Sequence, residues 1–367
     1  MKVCQITSVH PNDDIRIFVK ECSSLAKAGV DVTLIANNDR NETRNGVHIK
    51  ALKKRSSAIK RILFNLPIIL IFCLRKRFDV YHGHDPELIP VLFILRCFGK
   101  KVVYDMHENF PKQLASKELP GYVKNIVGGI WPIIERICLR RMSVVFAESS
   151  YKEDYPYVKS SVDILNMPLV THLSDMEVNK KDIFTLGYVG GVSQDRYCLR
   201  ILETVLSLQQ SGYRIGFDCV GPIESASTEA KINELLGQLE NVRFYGELPP
   251  NEAWTIISKC HVGIAMLMPK PNYVGSYPTK LFEYIALGMP VLTSNFELYK
   301  PVVEGNNVGY CIDPLQPEIF EEKVIELYKN KEQYDALCNN TNGILEEKYN
   351  WENEVSKLQS FYAGLLK

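Results

Sequence analysis

Short runs rich in β-branched residues alternate with longer helical patterns along most of the 367-residue chain. This alternation is typical of parallel β-sheets whose strands are joined by crossover helices. The pattern breaks near Asn166–Pro168, and Thr171–Lys181 is polar without periodicity, which indicates a linker. The chain is therefore predicted to be an α/β protein with two parallel-sheet domains. The predicted strands are 2–9, 30–36, 47–52, 79–83, 101–105, 143–147 and 162–165 in the first domain, and 184–189, 214–220, 242–245, 262–266 and 290–293 in the second.

Helical patterns connect the strands of the second series, and one more follows them. The predicted helices are 196–210, 225–239, 251–259, 279–287 and 351–366. We expect the domains to span residues 1–172 and 173–350. Ligands of such Rossmann-like sheets bind beyond the carboxyl ends of the strands. Two facing domains would therefore place the natural site in an interdomain cleft.

The charge is balanced overall but not along the chain. There are 43 Lys and Arg residues and 43 Asp and Glu residues, which argues against a general electrostatic grip on nucleic acid. Up to Lys180 the balance is +8, and beyond it −8. This asymmetry favours two domains with different partners. Because 46% of the residues are hydrophobic, the composition also excludes a disordered chain.

Ten cysteines lie scattered in mostly apolar stretches, without metal-site spacing, and are predicted to be reduced core residues. The first residues lack a signal-peptide pattern, so we expect a cytoplasmic protein. Between Thr43 and Phe78 there are ten Lys or Arg residues and no acid, around an apolar run at Ile62–Leu74. Such a segment is either a core helix with basic ends or an interfacial helix on an anionic membrane, which would place the protein on the inner face of the plasma membrane.

The segment Gly275–Leu292 carries the clearest chemical pattern. Pro278 suits the first turn of a helix, whose free amides and positive dipole end bind anions such as a diphosphate. Lys280 adds a charge there, and Glu283, about one turn further along, could accept both hydroxyls of a ribose. The alternative is an ordinary helix with solvated Lys and Glu side chains.

Pro278–Val291 resembles the nucleotide-sugar motif of glycosyltransferase family 4, the retaining enzymes of the GT-B fold. Leu186–Gly191, Val220–Gly221, Asn241–Gly246 and Tyr349–Glu352 follow the family's order, and Tyr349–Glu352 resembles the start of its terminal helix, which crosses back onto the first domain. The resemblance implies that Glu283 holds the donor ribose and that amides near Thr279, Lys280 and Leu281 hold phosphate. Gly191, Gly221 and Tyr245 are further donor-site candidates.

Two positions depart from the family pattern. Gly191 stands where the family has an Arg, so Arg196 and Lys280 are the predicted pair that stabilises the leaving diphosphate. Gly275 stands where the family has a Glu that contacts the donor sugar. Sugar recognition is therefore expected to differ, through amides at Gly275 and Ser276 or through Asn272 and Tyr273.

Two His-plus-acid pairs follow neighbouring predicted strands: His84 with Asp85, and His107 with Glu108. They are candidates to orient sugar hydroxyls or to move the acceptor proton. The resemblance implies that His84 lies near the transferred sugar and that His107 is a second histidine of this kind. A metal site is the rival interpretation.

The first strand is followed by a turn without glycine that contains His10, Asp14 and Arg16. Asp14 either caps the next helix or, like His10 and Arg16, faces donor or acceptor.

The resemblance implies a retaining, metal-independent glycosyltransferase without a cofactor. Its expected donor is a UDP- or GDP-type nucleotide sugar, and its acceptor is a glycan or lipid-linked glycan of a bacterial surface polysaccharide. A nucleotide-sugar epimerase of the same architecture and a catalytically silent nucleotide-sugar-binding subunit remain alternatives.

Overall fold

The computed structural model describes residues 1–108, 110–111, 121–169, 173, 176 and 179–367, without the side chains of 121–127, Asn272 and Glu346. The chain divides into two compact units. The first unit is Met1–Asn166 with Trp351–Lys367, and the second is Met167–Asn350. The boundary thus lies six residues before the position expected from the sequence. Most of the predicted linker 171–181 lies outside the described residues.

The first unit is built on an eight-stranded sheet in the order β3-β4-β2-β1-β5-β6-β7-β8. All neighbouring pairs are parallel except the edge pair β3–β4. Central strands such as β6 are buried along their whole length, as expected of a sheet covered on both faces. The strands are β1 Lys2–Pro11, β2 Asp31–Asn37, β3 Glu42–Arg44, β4 Val47–Leu52, β5 Val80–Gly83, β6 Val102–Met106, β7 Ser143–Phe146 and β8 Ser160–Asp163.

Helical segments connect these strands. The π-helical turns Ile15–Cys22 and Arg61–Asn65 each run into an α-helix, and Pro86–Leu88 is a 3₁₀ turn. The α-helices are Ser23–Lys27, Ala58–Lys60, Leu66–Arg75, Ile89–Cys97, Gly121–Leu139, Tyr151–Asp154 and Trp351–Leu366.

The second unit contains a six-stranded, wholly parallel sheet in the order β11-β10-β9-β12-β13-β14. Its strands are β9 Phe184–Val189, β10 Ile215–Val220, β11 Val242–Phe244, β12 Val262–Ala265, β13 Val291–Ser294 and β14 Gly309–Ile312. A 3₁₀ turn at Gln194–Arg196 precedes the first helix. The α-helices are Cys198–Gln210, Ala226–Leu236, Pro250–Ile257, Pro271–Val274, Thr279–Ala286, Lys300–Val303, Pro317–Lys329, Lys331–Asn340 and Ile344–Glu347.

The helix Trp351–Leu366 belongs to the first unit although the second unit precedes it in sequence. The Trp351 indole is fully buried and donates to the carbonyl of Lys20 at 3.0 Å. The amide of Leu165 donates to the Glu354 carboxylate at 2.8 Å. The helix therefore completes the core of the first unit.

All ten cysteines are free thiols, and seven of them are buried. Cys97 is exposed, so the expectation of a core position fails for that residue. Among the described residues, no helix is both long enough and apolar enough to cross a bilayer.

Candidate active site

In the second unit, two glycines bring the turns after β9 and β10 into contact. Gly190 has φ +124° and Gly221 has φ +146°, a backbone region that L side chains rarely adopt. A Cβ atom on Gly221 would overlap the carbonyl oxygen of Gly190. A Cβ on Gly190 would lie 3.7 Å from both Nη1 of Arg196 and Nζ of Lys280. Two cations therefore converge on a bare stretch of backbone at the carboxyl end of β9.

Lys280 is a buried cation, with 7% of its surface exposed. Its Nζ lies 3.7 Å from the centroid of the Tyr188 ring and has no hydrogen-bond partner among the described residues. Burial, and then the charge of Arg196, lower the pKa of Lys280 to about 7. An anion in this place would supply the missing partner.

Arg196 lies in the 3₁₀ turn Gln194–Arg196, two residues before the helix rather than within it. Its Nε is 3.5 Å from the Glu224 carboxylate. A Cβ on Gly191 would overlap that same carboxylate, so the Arg that the family pattern expects there would require the Glu224 side chain to move. Glu224 was not identified from the sequence, because nothing in its local pattern marks it as a partner of Arg196.

The helix Thr279–Ala286 begins directly after Pro278, as predicted. The amide of Leu281 already donates to the Pro278 carbonyl at 3.0 Å, which makes it less available to phosphate than expected. Glu283 is half-buried on the helix.

The remaining donor-site candidates lie in the loops around this helix and after β10. The Tyr299 hydroxyl donates to the carbonyl of Ser276 at 2.8 Å and fixes the loop that contains Gly275. After β10, the amide of Gly221 donates to the carbonyl of Gly246, the residue that follows Tyr245. The side chain of Asn272 lies outside the described residues.

The first unit contains a second, mostly buried cluster of charged side chains. The Arg16 guanidinium lies 3.1 Å from Asp105 and 3.4 Å from Glu21. Burial would raise the pKa of Asp105, but Arg16 and then His107 hold it well below its usual range. Burial, and then the Asp105 charge, raise the pKa of Glu21 well above its usual range. This arrangement predicts a neutral Glu21 beside an ionised Asp105.

Three histidines surround Asp105. His84 Nε2 lies 2.7 Å from Gln5 Oε1, and His84 Nδ1 lies 3.1 Å from His107 Nε2. His82 Nδ1 is hydrogen-bonded to the Tyr362 hydroxyl, which also accepts from Gln5 Nε2 at 3.1 Å. Burial lowers the pKa of His82 to about 4 and that of His84 well below its usual value. Both rings are therefore neutral near pH 7.

The last part of β1 is tied to the turn after β5 through one carboxylate. Asp85 accepts from the amide of Ser8 at 2.5 Å, from the hydroxyls of Thr7 and Ser8 at 3.0 Å, and from the amide of Val9 at 3.2 Å. Asp14 caps the following helical turn by accepting from the Ile17 amide, and it pairs with His10 Nδ1 at 3.0 Å. The hydrogen bond to Asp14 raises the pKa of His10.

Family models match both units. Residues 174–344 match the glycosyl transferases group 1, and residues 18–155 match Glycosyltransferase Family 4. Together the two matches cover 309 of the 367 residues, and both models describe glycosyltransferases. The chain is a glycosyltransferase.

Solved structures show that the fold is GT-B. Sucrose-phosphate synthase from Thermosynechococcus elongatus has a TM-score of 0.74 at 15% identity, covering 100% of this chain and 99% of that one. A glycosyltransferase from Rickettsia africae has a TM-score of 0.74 at 11% identity, covering 100% and 98%. Anabaena HepE in complex with UDP-glucose has a TM-score of 0.70 at 10% identity, covering 99% and 100%.

A curated relative shares a shorter stretch of sequence. The putative teichuronic acid biosynthesis glycosyltransferase TuaH of Bacillus subtilis is 30% identical over 122 residues. The match spans 32% of this chain and 29% of that relative's length.

In this glycosyltransferase, several predicted site residues lie deeper than expected. Arg16, His84 and Asp85 are buried and bonded to other side chains or to backbone, so they are not placed to contact a sugar directly. Asp14 is a helix cap. The more accessible groups are His107 and His10, with side chains 18% and 34% exposed, and Glu108, which is exposed.

Other members of the network were missed. Glu21, His82, Gln5 and Tyr362 were not predicted as site residues. The spacing of His82, on β5, and His84, directly after it, does indicate that these two side chains share one face of the sheet.

The possible metal ligands that lie close together are not the ones expected from the sequence. Ligand atoms of Glu21, His82, His84 and Asp105 lie within 4.8 Å of one another, whereas Glu108 is not among them. The Arg16 guanidinium lies next to the carboxylates of both Glu21 and Asp105. A side-chain cation therefore already occupies the place where a metal ion would balance their charge. The donor set therefore does not fit a metal ion.

Proposed function

We propose that this glycosyltransferase moves a sugar, with retention, from a UDP- or GDP-type nucleotide sugar to a hydroxyl of a glycan or lipid-linked glycan. The observation that carries the proposal is the convergence of Arg196 and Lys280 on Gly190. Two cations beside a stretch of backbone without a side chain suit a diphosphate, which binds through several charge-assisted hydrogen bonds.

Each group has a task in this reaction. Lys280 and Arg196 neutralise charge that develops on the leaving diphosphate, and Glu283 holds the ribose. A diphosphate would compete with Glu224 for Arg196. The bond from the sugar C1 to the phosphate oxygen breaks while C1 bonds to the acceptor oxygen on the same face. The acceptor proton moves to the leaving diphosphate, so no enzymic nucleophile or metal ion takes part.

The first unit is proposed to bind the acceptor. His107 and His10 are its accessible histidines next to the buried network. His107 is held by His84 and Asp105, at 3.1 and 3.4 Å. These contacts fix its ring, as a group that orients a sugar hydroxyl requires.

Two relatives support the choice of substrates. HepE has been solved with UDP and with UDP-glucose, which favours a UDP-type donor here. TuaH is named for teichuronic acid biosynthesis, which favours a surface polysaccharide as the product.

Thermal-shift titrations with UDP, GDP and ADP test the donor site, because a ligand that binds the folded state raises Tm. We expect UDP to stabilise the wild type and Lys280→Met to lose most of that shift. Lys231→Met, which removes an exposed lysine from the same unit, is the matched control. Equal shifts in all three proteins would refute the diphosphate site.

Transfer itself is tested with a radiolabelled UDP-sugar and membrane extract, and the anomeric configuration of the product is read by NMR. Retention is expected. An epimeric nucleotide sugar formed without acceptor would identify an epimerase, and UDP binding without any turnover would identify a silent binding subunit.

An anionic membrane surface is the proposed partner of the Thr43–Phe78 segment. Ile62, Leu63, Phe64, Ile68 and Ile71 are exposed there, next to Lys53, Lys54 and Arg55. Changing the three cations to Glu should reduce sedimentation with anionic vesicles. Unchanged sedimentation would exclude the interfacial role of this segment.

A further inference from the structure

The first unit has a cavity at the edge of its sheet opposite to the histidine cluster. The cavity has a volume of about 440 Å³ and is lined where β6, β7 and β8 begin, at Val102, Ser143 and Ser160. His84 and His107 instead follow the carboxyl ends of β5 and β6. The cavity is therefore separate from the candidate active site.

The described residues lining this cavity include five cations and no carboxylate: Arg96, Lys101, Arg140, Arg141 and Lys159. Arg96 Nε donates to the Arg141 carbonyl at 3.1 Å, and the Arg141 guanidinium lies 6.0 Å from the centroid of the Phe93 ring. These contacts hold two guanidinium groups at the cavity. The hydroxyls of Ser143 and Ser160 lie 3.1 Å apart in its lining.

Five like charges around one cavity repel each other, and a bound anion removes that repulsion. Guanidinium groups match the oxygens of a phosphate in pairs, and hydroxyls add further donors. The chemistry of the lining therefore points to a phosphate ester rather than to a cation or an apolar ligand.

Exposed apolar residues lie close in sequence to the residues that line the cavity. Phe98 is 66% exposed directly after the helix that carries Arg96. Ile130, Ile133, Ile134 and Ile137 are exposed on the helix that ends just before Arg140, and their spacing places them on one helical face. An apolar strip that ends at a cationic cavity suits a ligand with an acidic head and a hydrocarbon tail.

We propose that the cavity binds the phosphate of an anionic lipid headgroup while the isoleucines and Phe98 contact the bilayer. This inference rests on the membrane partner of the proposed function and extends it to a second set of residues. It is independent of the donor site.

Co-sedimentation of the full chain with phosphatidylcholine vesicles, with and without phosphatidylglycerol, tests the proposal. Each basic residue near an anionic bilayer contributes roughly a fivefold factor in partitioning, so Arg140→Gln/Arg141→Gln should lower it about 30-fold. Lys27→Gln/Arg40→Gln removes two exposed cations elsewhere in the unit and should leave it unchanged. Ser160→Leu fills the cavity without changing charge and should also weaken binding; unchanged far-UV CD and Tm show that each variant is folded.

The outcomes distinguish a lipid-headgroup pocket from general surface charge and from a site for a soluble phosphate ester. If Ser160→Leu binds vesicles like the wild type while the arginine variant does not, only general surface charge acts and the pocket is refuted. If inorganic phosphate or glycerol phosphate binds but vesicles do not, the ligand is soluble and the lipid assignment is overturned. A Lys280→Met protein that loses UDP binding but keeps vesicle binding shows that the two sites fail separately.

Discussion

The unusual acidity of Lys280 predicts that donor binding is coupled to proton uptake. Burial and the Arg196 charge lower the pKa of Lys280 to about 7, so at pH 8 only about one molecule in ten carries the charge. A diphosphate beside Nζ favours the charged form. Binding of UDP at pH 8 should therefore take up about 0.9 proton, and the Kd should rise roughly tenfold per pH unit above pH 8.

Calorimetry in two buffers with different ionisation enthalpies measures this uptake directly. The UDP phosphate is itself fully ionised at pH 8, since its second pKa lies near 6. Lys280→Met is the control and should show almost no uptake and a Kd independent of pH. Uptake below about 0.2 proton in the wild type, or equal uptake in both proteins, would contradict the assignment of Lys280 to the diphosphate.

The same shift affects the stability of the free protein. The pKa of Lys280 is about 7 in the folded chain and 10.5 in its ordinary environment, so the unfolded state binds more protons between these values. The contribution of Lys280 to the free energy of unfolding therefore rises with pH across that window. Lys280→Met should flatten this rise in urea unfolding between pH 7 and pH 10.

Three further predictions concern other contacts. Gly221→Ala forces a Cβ atom into the Gly190 carbonyl. In urea unfolding it should lower the free energy of unfolding by several kcal/mol more than the control Gly212→Ala. Gly212 also has a positive φ, +87°, but no atom lies within 4 Å of the position that its Cβ would take. Tyr362→Phe removes the hydroxyl bonded to His82 and should change the tautomer pattern in ¹⁵N-histidine NMR spectra, whereas Tyr81→Phe, whose hydroxyl bonds to the Lys76 carbonyl, should not. Trp351→Ala should destabilise the first unit by about 3–5 kcal/mol in denaturant unfolding; a loss below about 1 kcal/mol would mean that the terminal helix adds little to that core.

Sequence periodicity identified most strands because parallel strands are buried on both faces and leave a continuous apolar signal. It missed β3, Glu42–Arg44, which is a short polar edge strand, and β14, Gly309–Ile312, which begins with a glycine. The last strand of the first sheet lies at Ser160–Asp163, two residues before its predicted position. These errors fall at or near sheet edges, where tertiary pairing rather than local pattern decides the strand.

Some features of the candidate site could be predicted from the sequence and others could not. The helix start was predictable because it follows from local sequence. Arg196 and Lys280 were paired through the family resemblance, and Nη1 of Arg196 and Nζ of Lys280 lie equally near Gly190, although the two residues are far apart in sequence. Sequence could not show that Arg16, His84 and Asp85 are buried, since depth depends on which distant side chains meet them. Asp85 Oδ2 accepts from Thr7, Ser8 and Val9 in β1, and His84 is hydrogen-bonded to Gln5 and His107.

The return of Trp351–Leu366 to the first unit affects the order in which the chain can fold on the ribosome. The first unit is translated first, yet the partners of the Lys20 carbonyl, the Leu165 amide and Gln5 are supplied by the last helix. The second unit, Met167–Asn350, is continuous in sequence and complete before that helix emerges. We therefore expect the second unit to reach its native state first during synthesis. The first unit should complete its core only after the helix Trp351–Leu366 has been synthesised.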